Sequence, residues 1–259
     1  MNFYEKEVLE SRYNKVVKHN AIVQNSRFDL SATEQKTINF LISLVKPKQN
    51  ENDIQPIEYE FEIQDYCKVC GIDYKTGENY KMVRNTLKSL VSKVVVVTLP
   101  DGTETSVNWI NKFWSNKGSG KAKIRFDEDL APYIFELREN TTRFELLNIL
   151  PMKSKYSVRM YEICRSYCYQ KSHTFDLVEL RKMLEIPENE LTRYPDFRRR
   201  VLEKSQEEIN RYSDLNIYFE PIKKGRSVVK IQIHITEKDV ANKVNTHNND
   251  NYELDYGKD

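Results

Sequence analysis

One order of predicted elements occurs twice along the chain, and this repetition constrains the fold more than any other feature of the sequence. Each copy contains a helix, a short strand, two further helices and a β-hairpin, judged from hydrophobic periodicity and turn residues. The first copy opens with a capping box at Ser31 and Glu34, and its hairpin turns at Pro100-Asp101-Gly102. The order of elements, more than residue identity, therefore indicates two similar modules.

The predicted elements follow the two copies in turn. The first copy has a helix from Ser31 that ends before Pro47, a strand over 59–63, helices over 64–69 and 79–92, and strands over 94–99 and 103–109. The second copy has a helix over 154–169, a strand over 174–177, helices over 178–184 and 195–212, and strands over 215–219 and 228–235.

A helix-turn-helix followed by a hairpin wing is the arrangement of a winged-helix domain. The sequence therefore predicts an α+β fold of two tandem, pseudo-symmetric winged-helix domains. The predicted divisions are an N-terminal domain over 1–140, a C-terminal domain over 141–236, and an Asn-rich polar tail over 237–259 that we expect to be disordered.

Composition excludes several classes of protein. Seven glycines in 259 residues argue against glycine-rich nucleotide-binding loops. No apolar run approaches the roughly 20 residues that span a bilayer, and the N-terminus carries Glu5 and Glu7 where a secretion signal would be apolar. These features predict a cytoplasmic protein without membrane contact.

The charge is unevenly distributed along the chain. The net charge is only +2, but residues 237–259 carry a net charge of −3 and residues 193–230 a net charge of +4. A nucleic-acid backbone responds to such local charge more than to the total.

The basic residues of 193–230 fall on the second long helix and on the hairpin after it. Steps of about 100° per residue put Val201, Leu202, Ser205 and Ile209 on one side of the helix and most of its charges on the other. An arginine cluster near a helix N-terminus is unfavourable with the helix dipole, which an incoming anion would relieve. In a helix-turn-helix this part of the helix meets base edges. The predicted base-reading residues are Arg198, Arg199, Arg200 and Lys204.

Two further basic groups are predicted to contact phosphates. The wing group comprises Arg193, Lys223, Lys224 and Arg226, and the group on the first-module helix comprises Lys81, Arg84 and Lys88, spaced to form one stripe opposite Val83, Leu87 and Leu90. A solvated charged surface is the alternative for each group. The wing beside the basic helix favours double-stranded DNA.

Residues that could support catalysis or metal binding lack the required spacing. Cys67 and Cys70 form a CxxC pair and Cys164 and Cys168 an i, i+4 pair, interpreted as structural thiols, with zinc binding or redox chemistry as alternatives. The loop at Gly118–Lys121 lacks the first glycine and the magnesium-binding hydroxyl of a phosphate loop. We therefore expect no cofactor, no metal and no enzymatic activity. A metal-dependent nuclease using Asp127 and Asp129 is the alternative from the enzyme class.

Aromatic and basic residues interleave after the first hairpin. Trp109, Phe113 and Trp114 alternate with Lys112 and Lys117. Such a pattern can stack single-stranded bases, but packing in the core or at an interface is the preferred interpretation.

Three segments together resemble the iteron-binding plasmid replication initiators, over about residues 10–236. The matching segments are Val16–Asn20 with Arg27–Lys36, Ser154–Ile163, and Tyr194–Arg198 continuing through Val201-Leu202 and Glu208–Asn210 to Ile222–Arg226. The chain departs from that family in placing Glu203 and Glu207 among the bases of its recognition face. Glutamate can accept a hydrogen bond from cytosine, so these residues are candidate readers.

The resemblance implies a function that the residues alone do not specify. It implies that the second domain reads the major groove of repeated origin sequences, while the first domain contacts the backbone and the remaining half. It also implies monomers on the repeats, in equilibrium with homodimers formed through the first domain that repress the protein's own gene. It further implies that the protein helps to open the origin and recruits a host initiator ATPase and replicative helicase. A winged-helix transcription repressor without a role in replication remains the alternative from the DNA-binding class.

Overall fold

The computed structural model describes residues 3–45, 56–74, 77–116, 118–135, 137 and 139–238. Pro47 and residues 239–259 of the predicted tail lie outside this range. The described helices are α1 Phe3–Glu10, α2 Asn20–Gln24, α3 Ala32–Ser43, α4 Ile63–Cys70, α5 Gly77–Leu90, α6 Ala131–Ile134, α7 Lys155–Ser166, α8 Leu177–Met183, α9 Tyr194–Phe197 and α10 Lys204–Tyr212. The described strands are β1 Lys15–His19, β2 Ser26–Arg27, β3 Glu58–Glu62, β4 Val94–Thr98, β5 Glu104–Asn108, β6 Ile110–Ser115, β7 Lys121–Phe126, β8 Thr141–Glu145, β9 Ser172–Asp176, β10 Leu215–Lys224 and β11 Ser227–Glu237.

The first module has the predicted order of α3, β3, α4, α5 and the β4–β5 hairpin. Ser31 caps α3 because its hydroxyl accepts from the Glu34 amide at 3.2 Å, while Glu34 accepts from the Ser31 amide at 2.8 Å. Gly71 ends α4 with φ of 71°, a left-handed conformation that glycine adopts without strain.

The strands of the first module join in a way that the sequence did not predict. The β4–β5 hairpin pairs with β2, whereas β3 pairs with β7, and β7 pairs with β6. The chain passes from β5 to β6 through Trp109, which is buried and packs edge-on against Phe28. Burial of this side chain holds the bend at which the chain leaves one sheet for the next.

A two-stranded sheet joins the start of the described chain to its middle. The antiparallel strands β1 and β8 pair from Lys15 with Glu145 to His19 with Thr141. The predicted elements begin at Ser31 and include none between 109 and 154, so both strands of this sheet were missed. The predicted domain boundary at 140/141 directly precedes β8 and stays a prediction.

The second module repeats the order as α7, β9, α8, α9–α10 and the β10–β11 hairpin. Strand β11 pairs with both β10 and β9, which completes a three-stranded sheet. Both hairpin strands are longer than predicted, and β9 covers β11 only from Lys230 to His234. Beyond Lys230 the hairpin therefore extends past the sheet as a two-stranded arm, and we call this arm together with its base the wing (residues 221–230).

The described helices include none that is both long and apolar enough to cross a membrane.

Candidate nucleic-acid interface

The basic helix of the second module runs without interruption from Tyr194 to Tyr212, and we call it the 194–212 helix. Its buried side is the one that the sequence predicts, with Val201, Leu202, Ser205 and Ile209 all inaccessible to solvent. The helix thus presents its predicted basic side outward, except where its geometry departs from an α-helix.

That departure is a π-helical turn over Arg198–Glu203. Counting at 100° per residue places Arg198 on the buried side, between Ser205 and Ile209. Each residue of a π-helix advances less around the axis, and the side chain of Arg198 is 59% exposed. The sequence could not predict this turn, which is a type often found at functional sites.

The predicted conflict between the arginine cluster and the helix dipole is weak, because the cluster lies beyond the first helical turn. The helix begins at Tyr194, so Arg198 is its fifth residue. The dipole acts mainly within the first turn, where Asp196 supplies a favourable negative charge. The case for an anion at these arginines must therefore rest on their exposure and on their partners.

Four of the predicted bases, three on this helix and Arg193 directly before it, already have acidic partners. Arg193 pairs with Asp196 at 2.7 Å, and Arg199 reaches the same carboxylate at 3.5 Å. Arg198 pairs with Glu203 at 2.8 Å, a spacing of five residues that the π-helical turn brings together.

Lys204 lies 3.1 Å from Glu207 and 3.6 Å from Glu208. Arg200 differs from these four bases, since it is exposed and has no ion pair within the described residues. Its guanidinium can therefore bind an anion without first leaving a carboxylate.

The wing presents bases that are also free of acidic partners. Lys223, Lys224 and Arg226 are exposed and make no ion pair with any described residue. Gly225 adopts φ of 62° in the two-residue turn at the tip, a conformation that favours glycine. Residues 221–230 contain no acid.

One cation beside these was not predicted. Lys230, at the base of the wing, is exposed, and its alternation with buried Ile231 was the signal that could have identified it.

The first-module stripe lies on α5 as predicted. Lys81 and Lys88 are exposed and Arg84 is partly exposed, with its guanidinium 5.9 Å from the ring centre of Tyr80. These three bases have no ion pair among the described residues. Val83, Leu87 and Leu90 are buried on the opposite side of the helix. Each module therefore carries one group of unpaired bases on an exposed element.

The aromatic residues near the first hairpin divide between two environments. Trp109 is in the core, as the packing interpretation predicts. Trp114 is partly exposed, with the ammonium groups of Lys112 and Lys123 at 4.9 and 5.2 Å from its ring. Lys117 lies outside the described residues.

The candidate metal and redox residues do not come together. Cys67, Cys70 and Cys164 are buried thiols outside any disulfide, and burial raises the pKa of Cys67 and Cys70 to about 12. Asp127 caps a short helical turn by accepting from the Asp129 amide at 3.1 Å. In the part of the chain that the structure describes, no three His, Cys, Asp or Glu side chains are placed to hold a metal ion.

Two family models match the chain, one after the other. Residues 15–165 match the family model described as Initiator Replication protein, WH1, and residues 176–235 match the model described as Initiator Rep protein, WH2. The solved structure of Pi initiator protein in complex with iteron DNA is similar over 88% of this chain and 99% of that chain, with 18% sequence identity and a TM-score of 0.68. A structure of domains 2 and 3 of RctB covers 80% of this chain and 79% of its own, with 13% identity and a TM-score of 0.42. The predicted α+β fold of two tandem winged-helix domains is confirmed.

Proposed function

Because the chain belongs to the initiator replication protein family, we propose that it is a plasmid replication initiator that binds repeated origin sequences in double-stranded DNA. The observation that carries the DNA-binding part is the acid-free wing beside an exposed basic helix. Three unpaired cations on a narrow arm form the kind of surface that releases counterions from a phosphate backbone. The likeness to Pi initiator protein, solved with iteron DNA, supports repeats as the target.

The pairing of the bases suggests a division of labour. Arg200 contacts base edges directly, whereas Arg198, Arg199 and Lys204 exchange their carboxylate partners for DNA. Arg193 and the wing bases hold flanking phosphates. The stripe of the first module, Lys81, Arg84 and Lys88, contacts phosphates of the remaining half of the site.

The further steps of initiation follow from the family resemblance. We propose that the bound protein helps to open the origin and recruits a host initiator ATPase and replicative helicase. We also propose a monomer–homodimer equilibrium in which the dimer represses the protein's own gene. The protein acts in the cytoplasm, without a cofactor and without enzymatic activity.

Selection of bound duplexes from random DNA, followed by footprinting, tests this proposal. An asymmetric motif of about 20 base pairs protected by one monomer supports an initiator whose two domains read one repeat. A short palindrome bound only by a dimer would instead support a transcription repressor. Absence of any enriched sequence would contradict base reading by the 194–212 helix.

A magnesium-dependent nicking assay on supercoiled plasmid tests the absence of enzymatic activity. We expect no nicking by the wild type or by the Asp127→Asn variant. Nicking that the substitution abolishes would overturn this part of the proposal.

A further inference from the structure

Helix α7 is attached to the second module by polar contacts along one side. The hydroxyl of Tyr161 donates to the carboxylate of Asp214 at 2.8 Å, with both groups buried. Glu208, on the 194–212 helix, accepts from the backbone amides of Lys153 and Ser154 at 3.2 Å each. A carboxylate at this end of α7 also interacts favourably with the helix dipole. These contacts fix α7 relative to the basic helix.

A second set of polar contacts attaches α7 to the first module. One oxygen of Glu162 accepts from the ammonium group of Lys18 on β1 at 2.7 Å and from the amide of Asn39 on α3 at 2.8 Å. Lys18 and Glu162 are only 2% and 1% exposed. This carboxylate is therefore inaccessible to solvent and bound by two elements of the first module.

Arg159 reaches both modules from the same helix. Its guanidinium donates to the carbonyl of Ser26 at 2.8 Å in the first module and lies 4.5 Å from the ring centre of Phe28. It also donates to the carbonyl of Met183, at the end of α8, at a longer 3.4 Å. The other side of the guanidinium lies 3.6 Å from the second oxygen of Glu162.

Burying three charges next to one another costs desolvation free energy and is not needed merely to hold two domains together. Desolvation of such groups can cancel their attraction, and apolar residues of similar volume often stabilise as well or better. What a buried network adds is directionality, because any other placement of α7 against β1 and α3 would leave a buried charge without its partner. The contacts thus favour one relative orientation of the two modules.

We propose that Glu162 is a positioning residue that fixes the orientation of the two DNA-contacting surfaces relative to each other. It acts through Lys18, Asn39 and Arg159, and it thereby determines the spacing of half-sites that one chain accepts. This inference rests on the proposed DNA-binding function. It makes Glu162 a determinant of specificity although it touches no DNA.

The test measures how binding depends on the spacing between half-sites. Glu162→Gln removes the charge of the carboxylate, and the double variant Lys18→Met/Glu162→Leu removes both charges of that pair. Both variants keep Arg159, and neither leaves a large cavity. Glu145→Gln is the matched control, because Glu145 forms an exposed ion pair with Lys15 at 2.8 Å between β1 and β8. Each folded protein is titrated against the selected site and against sites with two base pairs inserted or deleted between the halves.

Two base pairs rotate one half-site by about 70° relative to the other. For wild type and Glu145→Gln we expect at least a tenfold loss of affinity on the altered sites. For both network variants we expect weaker binding to the selected site and less than a threefold further loss on the altered ones. Folded network variants that keep the tenfold penalty would overturn the proposal, since reduced stability alone lowers binding to every site alike.

A second measurement needs no DNA and so separates this inference from the proposed function. Spin labels are placed at the exposed positions Asn85 and Glu188, with Cys168 replaced by serine, and their distance distribution is measured by pulsed electron paramagnetic resonance. We expect a narrow distribution in the wild type and a clearly broader one in Glu162→Gln. An unchanged distribution would overturn the inference even if the chain bound no DNA.

Discussion

Neutralising the wing should weaken DNA binding by an amount that depends steeply on salt. The variant Lys223→Gln/Lys224→Gln/Arg226→Gln removes three exposed cations that have no acidic partner among the described residues. Each phosphate contact contributes about 0.9 to the slope of log affinity against log salt, so the slope should fall by about 2.7. If the three bases act only by counterion release, affinity at 0.15 M salt should fall about 150-fold, and the loss should vanish near 1 M.

The control for this experiment changes the net charge equally at cations that already have partners. Strands β7 and β3 carry a ladder in which Lys121 pairs with Glu60 at 3.2 Å and Arg125 with Glu58 at 2.8 Å, while Lys123 also contacts Glu58. The variant Lys121→Gln/Lys123→Gln/Arg125→Gln should change the slope by less than about 1, because these charges are largely neutralised in place.

Fluorescence anisotropy with a labelled duplex, titrated at several salt concentrations from 0.05 to 0.5 M, gives the two slopes. If log affinity against log salt has the same slope for the wing variant and the wild type, the argument is refuted, because the wing would then release no counterions. Equal changes of slope for the wing and ladder variants would mean that only the total charge matters.

Three further changes probe the helix faces and one buried lysine. Arg200→Ala should weaken binding to the selected site by about 1–3 kcal/mol and relax the sequence preference. Lys88→Ala should weaken binding to selected and random duplexes alike and lower the slope of log affinity against log salt by about 1. Competition titrations distinguish these two outcomes. Burial lowers the pKa of Lys36 from 10.5 to about 8, so at this group the unfolded chain binds more protons between those pH values, and the contribution of Lys36 to stability should rise with pH. The buried thiols Cys67 and Cys70, whose pKa is raised from 9.0 to about 12, act in the opposite direction above pH 9, so the test compares variant and wild type at each pH. Lys36→Met should exceed the wild type in free energy of unfolding by about 3 kcal/mol at pH 7, and this difference should shrink at pH 10, both measured by urea denaturation.

The features that the sequence predicted correctly depend on residues close together in the chain. The capping box at Ser31 is a local motif, and local hydrogen bonds satisfy it. The buried side of the 194–212 helix follows from a period of 3.6 residues. The repeated order of such elements was enough to predict the winged-helix class.

Which of the candidate bases have acidic partners was only partly predictable. The pairs of Asp196 with Arg193 and Arg199 have the i, i+3 spacing that an α-helix brings together, so these partners could have been found in the sequence. The pair of Arg198 with Glu203 could not have been found in this way, because its spacing is i, i+5 and only the π-helical turn places the two side chains next to each other. Local spacing therefore distinguishes free from paired cations only where the backbone is regular.

The contacts that join the two modules were beyond sequence-based prediction. A helix pattern places Arg159 and Glu162 three residues apart, and charged residues of this kind are expected at a surface. Both are buried because α7 lies between two modules, and the cation that meets Glu162 lies 144 residues away in the chain. Hydrophobic periodicity does not identify a distant charged partner.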